Sequence, residues 1–431
     1  MTRIINTNDK GFENKFIELL NIDRNSNENV DEVVRSIIQD VKTNGDSSLI
    51  SYTNKFDKND LSVNEILVSE EEINSLTKNL TQELCSAIDL AYSRIEAYHK
   101  KQIPNNLSYE DDIGIKLGYI WNPINSVGIY VPGGTASYPS TVLMNAIPAK
   151  VAGVQNITMV SPSVETKINP TILYAAKKVG VNKIYRIGGA QAIAALAFGT
   201  KTIKPVDKIV GPGNIYVSEA KKQVFGDVGI DMFAGPSEIV IIADDKNDPD
   251  IIASDLIAQA EHDISAQSIL ITNDQSLAGR VSDSVKNQIS SLPRKDIASQ
   301  SWNNNGAIIV TTGIEESIKL ANQLAPEHLE LSVQEARSYL GQIKNAGAVF
   351  IGNSTPEAIG DYIAGPSHVL PTSQSAKFSS GLSIYDFIKK TSVIECSDEG
   401  LNKIGSSAVE IAKNEGLDGH ARSIEYRLSK K

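Results

Sequence analysis

Short apolar runs at residues 126–131, 157–160, 183–187 and 208–210 alternate with stretches whose apolar residues recur at helical spacing. A second set follows at 238–243, 268–272, 307–311 and 348–351, again separated by helical stretches. Buried strands alternating with helices form βαβ units, so this order predicts an α/β protein with two successive parallel-sheet lobes. Ahead of them the pattern is helical: Ser69 and Glu72 have the spacing of a capping box before Leu76, Leu80, Leu84, Ile88 and Ala91. After Pro371 the pattern weakens, with helices expected at 398–415 and 422–428 and a Gly-containing turn between them. That tail is not expected to form a core of its own. The expected organisation is a helical N-terminal region over 1–120 packing on the lobes, a first lobe at 121–236, a second at 237–375 and a C-terminal arm at 376–431. The similar order of elements suggests duplication, although no residue-level repeat is evident between the lobes.

Length and composition support this division. A chain of 431 residues exceeds what one hydrophobic core usually serves, and its 41% hydrophobic content is ample for folded lobes. A net charge of −11 without a basic cluster argues against nucleic acid as a partner. The N-terminus lacks the apolar core of a secretory signal, and no run of about 18 apolar residues occurs, so no membrane segment is expected. The two cysteines, Cys85 and Cys396, form no CxxC pair, which fits a reduced, cytoplasmic setting.

Of five histidines, four stand in short motifs rich in Gly, Pro or acid: His262, His328, His368 and His420. His99 has no such setting. In the helical-looking stretch 255–263, Gln259 and His262 are three apart and would project from one face. With Asp361 and His420 they would make a mixed nitrogen and oxygen donor set, which suits a catalytic zinc at about 2.0–2.2 Å. A solvated helix edge, a turn-capping carboxylate and a surface histidine would explain the same residues individually. Ala325-Pro-Glu-His328 places a carboxylate beside an imidazole of ordinary pKa about 6.5, a pair able to divide proton work near neutrality.

The motifs Gln259-Ala-Glu-His262, Ala325-Pro-Glu-His328-Leu-Glu330, Gly360-Asp-Tyr-Ile-Ala-Gly-Pro-Ser-His368 and Glu415-Gly-Leu-Asp-Gly-His420 together resemble the histidinol dehydrogenase family. The likeness extends to Tyr130-Val-Pro-Gly-Gly134, Gly188-Gly-Ala-Gln-Ala192, Gly211-Pro-Gly-Asn214 and Asp231-Met-Phe-Ala-Gly-Pro-Ser-Glu238, in order from about residue 30 to the end.

That resemblance implies two incomplete Rossmann-like lobes and a zinc-dependent, four-electron oxidation of L-histidinol to L-histidine with two NAD, the last step of histidine biosynthesis. One Zn2+ per subunit would be held by Gln259, His262, Asp361 and His420, with His420 reaching across a homodimer. His328 would act as the base and Glu327 would activate water for the bound aldehyde. Ser237, His368 and Glu415 would join His328 and the four metal ligands in contacting substrate. Tyr130, Gln191 and Asn214 would contact NAD, although the chain has no G-x-G-x-x-G fingerprint. A cysteine-centred aldehyde dehydrogenase mechanism is disfavoured, because Cys85 lies in a helical stretch and Cys396 is flanked by Glu395 and Asp398. A zinc hydrolase using Glu327 as base, or a binding protein on an α/β scaffold, remain alternatives at this level.

Overall fold

The computed structural model describes residues 2–22, 30–133, 138–163, 166–232 and 235–429. Gly134, Phe233 and Ala234, from two of the motifs above, lie outside the described residues. In chain order the strands are β1 (Ile4–Asn6), β2 (Leu107–Glu110), β3 (Ile115–Pro123), β4 (Ser126–Tyr130), β5 (Asn156–Val160), β6 (Lys183–Tyr185), β7 (Lys208–Val210) and β8 (Gly229–Ile230). They continue as β9 (Glu238–Ala243), β10 (Gln267–Thr272), β11 (Ala307–Val310), β12 (His328–Ser332), β13 (Ala348–Ile351) and β14 (Ile388–Cys396).

Two parallel sheets organise the α/β fold. The first runs β6-β5-β4-β7-β8 and the second β1-β11-β10-β9-β12-β13. Numbered within each lobe, and leaving out β1, which extends the second sheet beyond β11, both read 3-2-1-4-5, a shared topology that agrees with the duplication suggested by element order. Each sheet is buried on both faces. Val127, Ile129, Met159 and Ile184 enter one cluster of the first lobe, while Tyr130, Val160, Tyr185 and Ile209 enter the other. In the second lobe Val240, Ile269 and Leu329 oppose Ile239, Leu270 and Ile308 in the same way. This two-sided burial explains why the strands read as continuous apolar runs.

The structure departs from the sequence expectations in several places, one being that strands β1 and β2 and the start of β3 lie within the region 1–120 expected to be helical. The stretch beginning at Ser69 is two helices, Glu70–Thr77 and Gln82–Lys100, because Thr81 caps a second N-terminus. The helix containing Gln259 spans Pro249–Ala260, so His262 lies beyond its end, held in a turn by its N–H donating to the Gln259 carbonyl at 3.2 Å. The last helix begins at Asp418, which puts His420 inside it. Strand β14 completes an antiparallel sheet of order β14-β3-β2, where no strand is expected from sequence. Eight of its nine positions are exposed, so it carries no alternation of apolar and polar residues to reveal it.

Candidate active site

Open α/β sheets bind ligands where strand order reverses, outside the carboxyl ends of the strands. In the first sheet this point lies between β4 and β7. Tyr130 ends β4, and Gly211-Pro-Gly-Asn214 follows β7. The Tyr130 hydroxyl accepts the Gly189 N–H at 3.1 Å, joining that edge to the helix Gly189–Phe198. Buried Gln191, on this helix, has neither amide atom hydrogen-bonded within the chain. Asn214 caps the helix Ile215–Val224, accepting from the Tyr216 and Val217 N–H groups. A side chain at Gly211 would place its Cβ 2.2 Å from the Tyr130 carbonyl oxygen, and Gly133 and Gly188 both press on Pro162. A glycine-lined edge, two helix N-termini and an unpartnered buried amide suit a dinucleotide phosphate and its polar groups.

The Gly211 loop is held from below. Its N–H donates to Asp231 Oδ2 at 2.8 Å, its carbonyl accepts from Lys221 Nζ at 3.0 Å, and Lys221 and Asp231 form an ion pair with side chains 4% and 1% exposed. Lys221→Met strands a buried carboxylate and is expected to cost about 3–5 kcal/mol in urea unfolding. It should also weaken NAD binding in a calorimetric titration.

The expected acid–base pair lies in the other sheet, at the opposite end of its strands. His328 opens β12, Glu238 opens β9, and the site is built at the amino ends of the strands. Ala325, just before Pro326, adopts φ 48° and ψ 58°, a left-handed conformation uncommon for a residue with a Cβ, and so turns the chain into Glu327 and His328. Glu327 Oε2 accepts the Glu238 N–H at 2.9 Å, and His328 Nδ1 lies 3.0 Å from the Glu238 carbonyl oxygen. A carbonyl only accepts, so Nδ1 carries the proton and Nε2 is left as the basic nitrogen. Nε2 faces Glu357 Oε1 at 3.6 Å and Asp361 Oδ1 at 3.9 Å.

Burial pushes the His328 pKa down to about 4, against the pull of the Asp361 carboxylate and the Glu238 carbonyl. The imidazole is therefore neutral at physiological pH. Burial, then the neighbouring Asp361 and Glu327 carboxylates, pushes Glu357 up. Burial likewise lowers His368, whose Nδ1 is 2.9 Å from the Asp361 carbonyl oxygen. His328, Asp361 and His368 line a cavity of about 440 Å³ together with Tyr98, Gln102 and Phe350. That is room for a small metabolite.

The other expected ligands are distributed as follows. Gln259 is fully buried with both amide atoms unpartnered within the chain, and His262, though exposed, acts electrostatically on His328 and His368. Ser237 directly precedes β9. Glu415 and His420 are exposed on the C-terminal arm, where the helices Asp398–Asn414 and Asp418–Leu428 pack on each other through Val409, Ala412, Ala421 and Ile424. Among the described residues, His328, Glu357 and Asp361 present ligand atoms within 4.8 Å of one another, a group that could itself hold a metal ion. The sequence motifs alone do not single out Glu357. Four residues before Asp361, it is on the same helical face, and that spacing was the available signal.

The sequence profile described as histidinol dehydrogenase matches residues 20–428. The chain is 52% identical over 429 residues to a histidinol dehydrogenase of Brucella abortus (strain 2308), covering 100% of each. It is 51% identical over 426 residues to one of Gluconobacter oxydans (strain 621H), covering 99% of each. A crystal structure of histidinol dehydrogenase from Elizabethkingia anophelis matches with TM-score 0.95 and 40% identity, over 99% of this chain and 98% of that one. Similar to these enzymes along essentially its whole length and in its fold, the chain belongs to the histidinol dehydrogenase family of NAD-dependent oxidoreductases.

Proposed function

We propose that the protein oxidises L-histidinol to L-histidine through a bound aldehyde, with one zinc and two successive NAD per turnover. The carrying observation is His328: a buried neutral imidazole, fixed as its Nδ1–H tautomer by the Glu238 carbonyl, turns Nε2 into the cavity bearing Asp361 and His368. Gln259, His262 and Asp361 would hold the metal, with His420 from a second copy of the chain. The unpartnered buried amide of Gln259 and the nitrogen and oxygen donors of the set fit such an ion. When bound, zinc would orient the substrate's nitrogen groups and NAD would accept hydride.

His328 Nε2 takes the alcohol proton as hydride leaves carbon. Glu327, whose carboxylate is fixed by the Glu238 N–H, removes a proton from the water that adds to the aldehyde, and the hydrate then loses the second hydride. Ser237, His368 and Glu415 would add substrate contacts. Tyr130, Gln191 and Asn214 would contact NAD at the switch point of the first lobe, so that 121–236 serves the cofactor and 237–375 the chemistry. The homodimer is supported by apolar side chains left in solvent on the 376–431 segment: Ile394 at 73%, Ile411 at 61% and Tyr426 at 66% exposure.

The test is NADH formation by zinc-loaded protein supplied with L-histidinol, with histidine quantified at completion. Two NADH per histidine, lost on chelation and restored by zinc, is expected. Zinc-bound protein that forms no NADH would overturn the proposal.

A further inference from the structure

Side chains alternate across a strand, so His328 and Glu330 share one face of β12 while Leu329 and Leu331 enter the core on the other. Glu330 is 2% exposed and has no part in the chemistry above. One of its oxygens, Oε1, accepts the Glu357 N–H at 2.6 Å, at the first residue of the helix Glu357–Tyr362 that carries Asp361. Its carboxyl group is also hydrogen-bonded to that of Asp255, one turn before Gln259 on the helix Pro249–Ala260. Two carboxyl groups can share a hydrogen bond only when one of them keeps a proton. Burial raises both, and the proximity of Asp255 raises Glu330 further.

One side chain thus joins three elements: the strand that begins with His328, the helix that ends after Gln259, and the helix that bears Asp361. We propose that Glu330 is a positioning residue which, by holding Asp255 and the Glu357 N–H together, sets Gln259, His262 and Asp361 against the base His328. The inference rests on the functional reading above for the identity of the metal ligands. It gives a reason for an acid pair beside a site already rich in carboxylates: an apolar side chain in place of Glu330 would fill the space but bond to neither helix.

The test compares full-length wild-type protein with the variants E330Q, E330L, D255A and D255N. Zinc affinity is read by competition with a chromogenic chelator, and kcat and KM are read with L-histidinol. Glutamine keeps both bonds, its NH2 donating to Asp255 and its oxygen accepting from Glu357, so E330Q should stay close to wild type. E330L should lose about 10–100-fold in zinc affinity. D255A, at a partly exposed helix position where alanine favours folding, should also weaken zinc binding, and D255N should restore it.

Loss in E330Q as large as in E330L would overturn the proposal, as would wild-type zinc affinity in D255A. If E330L does not fold, the D255A and D255N pair decides. Wild type that oxidises L-histidinol while D255A and E330L hold zinc equally tightly defeats the positioning role alone. Wild type that binds zinc but leaves L-histidinol unoxidised defeats the functional reading, and the zinc affinities still decide the role of Glu330. Wild type that binds no zinc overturns both.

Discussion

His328→Asn is expected to lower kcat for L-histidinol oxidation about 10³-fold, within the range for loss of a positioned general base, while zinc content stays at the wild-type level. Asparagine can still donate to the Glu238 carbonyl, but its amide cannot take a proton at the position of Nε2. Zinc content is the deciding companion measurement. If the metal sat on His328, Glu357 and Asp361, which also lie close together, it would be lost with His328. Glu327→Gln should behave differently. It should slow oxidation of supplied aldehyde more than the first, alcohol step, because in the proposed mechanism water is activated only in the second half. Equal slowing of both halves would contradict this division.

Burial of the same imidazole also gives a signature in stability. Its pKa falls from 6.5 to about 4 on folding, so the unfolded chain binds a proton that the folded one excludes between those values. The contribution is fully present above the unfolded pKa and is lost as pH falls toward the folded one, up to about 3 kcal/mol. Nearby buried acids with raised pKa act with the opposite sign, so the measurement is a difference. Between pH values near 7 and near 5, wild type should lose more urea stability than His328→Asn. A smaller loss in wild type would show that the imidazole is not held neutral.

His262→Asn and His420→Asn homodimers are each expected to be nearly devoid of zinc and activity, yet to regain activity when mixed, unfolded and re-formed together. In a mixed dimer one shared site carries both substitutions and the other carries neither. Random re-association makes half the dimers mixed, so recovery should approach about a quarter of wild type. This rests on the proposed site shared between two copies of the chain. His420 lies exposed on a helix hairpin whose small apolar cluster is its own, whereas Gln259 and Asp361 belong to the second lobe. No recovery in verified mixed dimers would mean that each site is completed within its own chain.

Local pattern was enough to find most of the fold. Strands β7 and β9 coincide with their apolar runs because burial on both faces demands continuous hydrophobicity. Helix ends were less legible. Thr81 starts a new helix inside an apparently continuous pattern, because a capping side chain outweighs spacing there. Strand β14 could not be read, since its pairing with β3 bridges more than 250 positions and its faces are open to solvent. Strand β1 pairs with β11 some 300 residues away, which no local signal records.

The same division holds for the site. The sequence by itself determined the two α/β lobes and the motifs carrying Glu327, His328, Gln259, His262 and Asp361, because strand and helix periods and short-range spacing are local properties of a chain. Tertiary structure alone decided the tautomer of His328, which depends on a carbonyl 90 residues away, and the neutral state of its ring, which depends on burial. It also decided that Glu330 touches both Asp255 and Glu357. Proton affinity and hydrogen-bond partnership are set by what surrounds a group in space, and here those surroundings come from segments far apart in the chain.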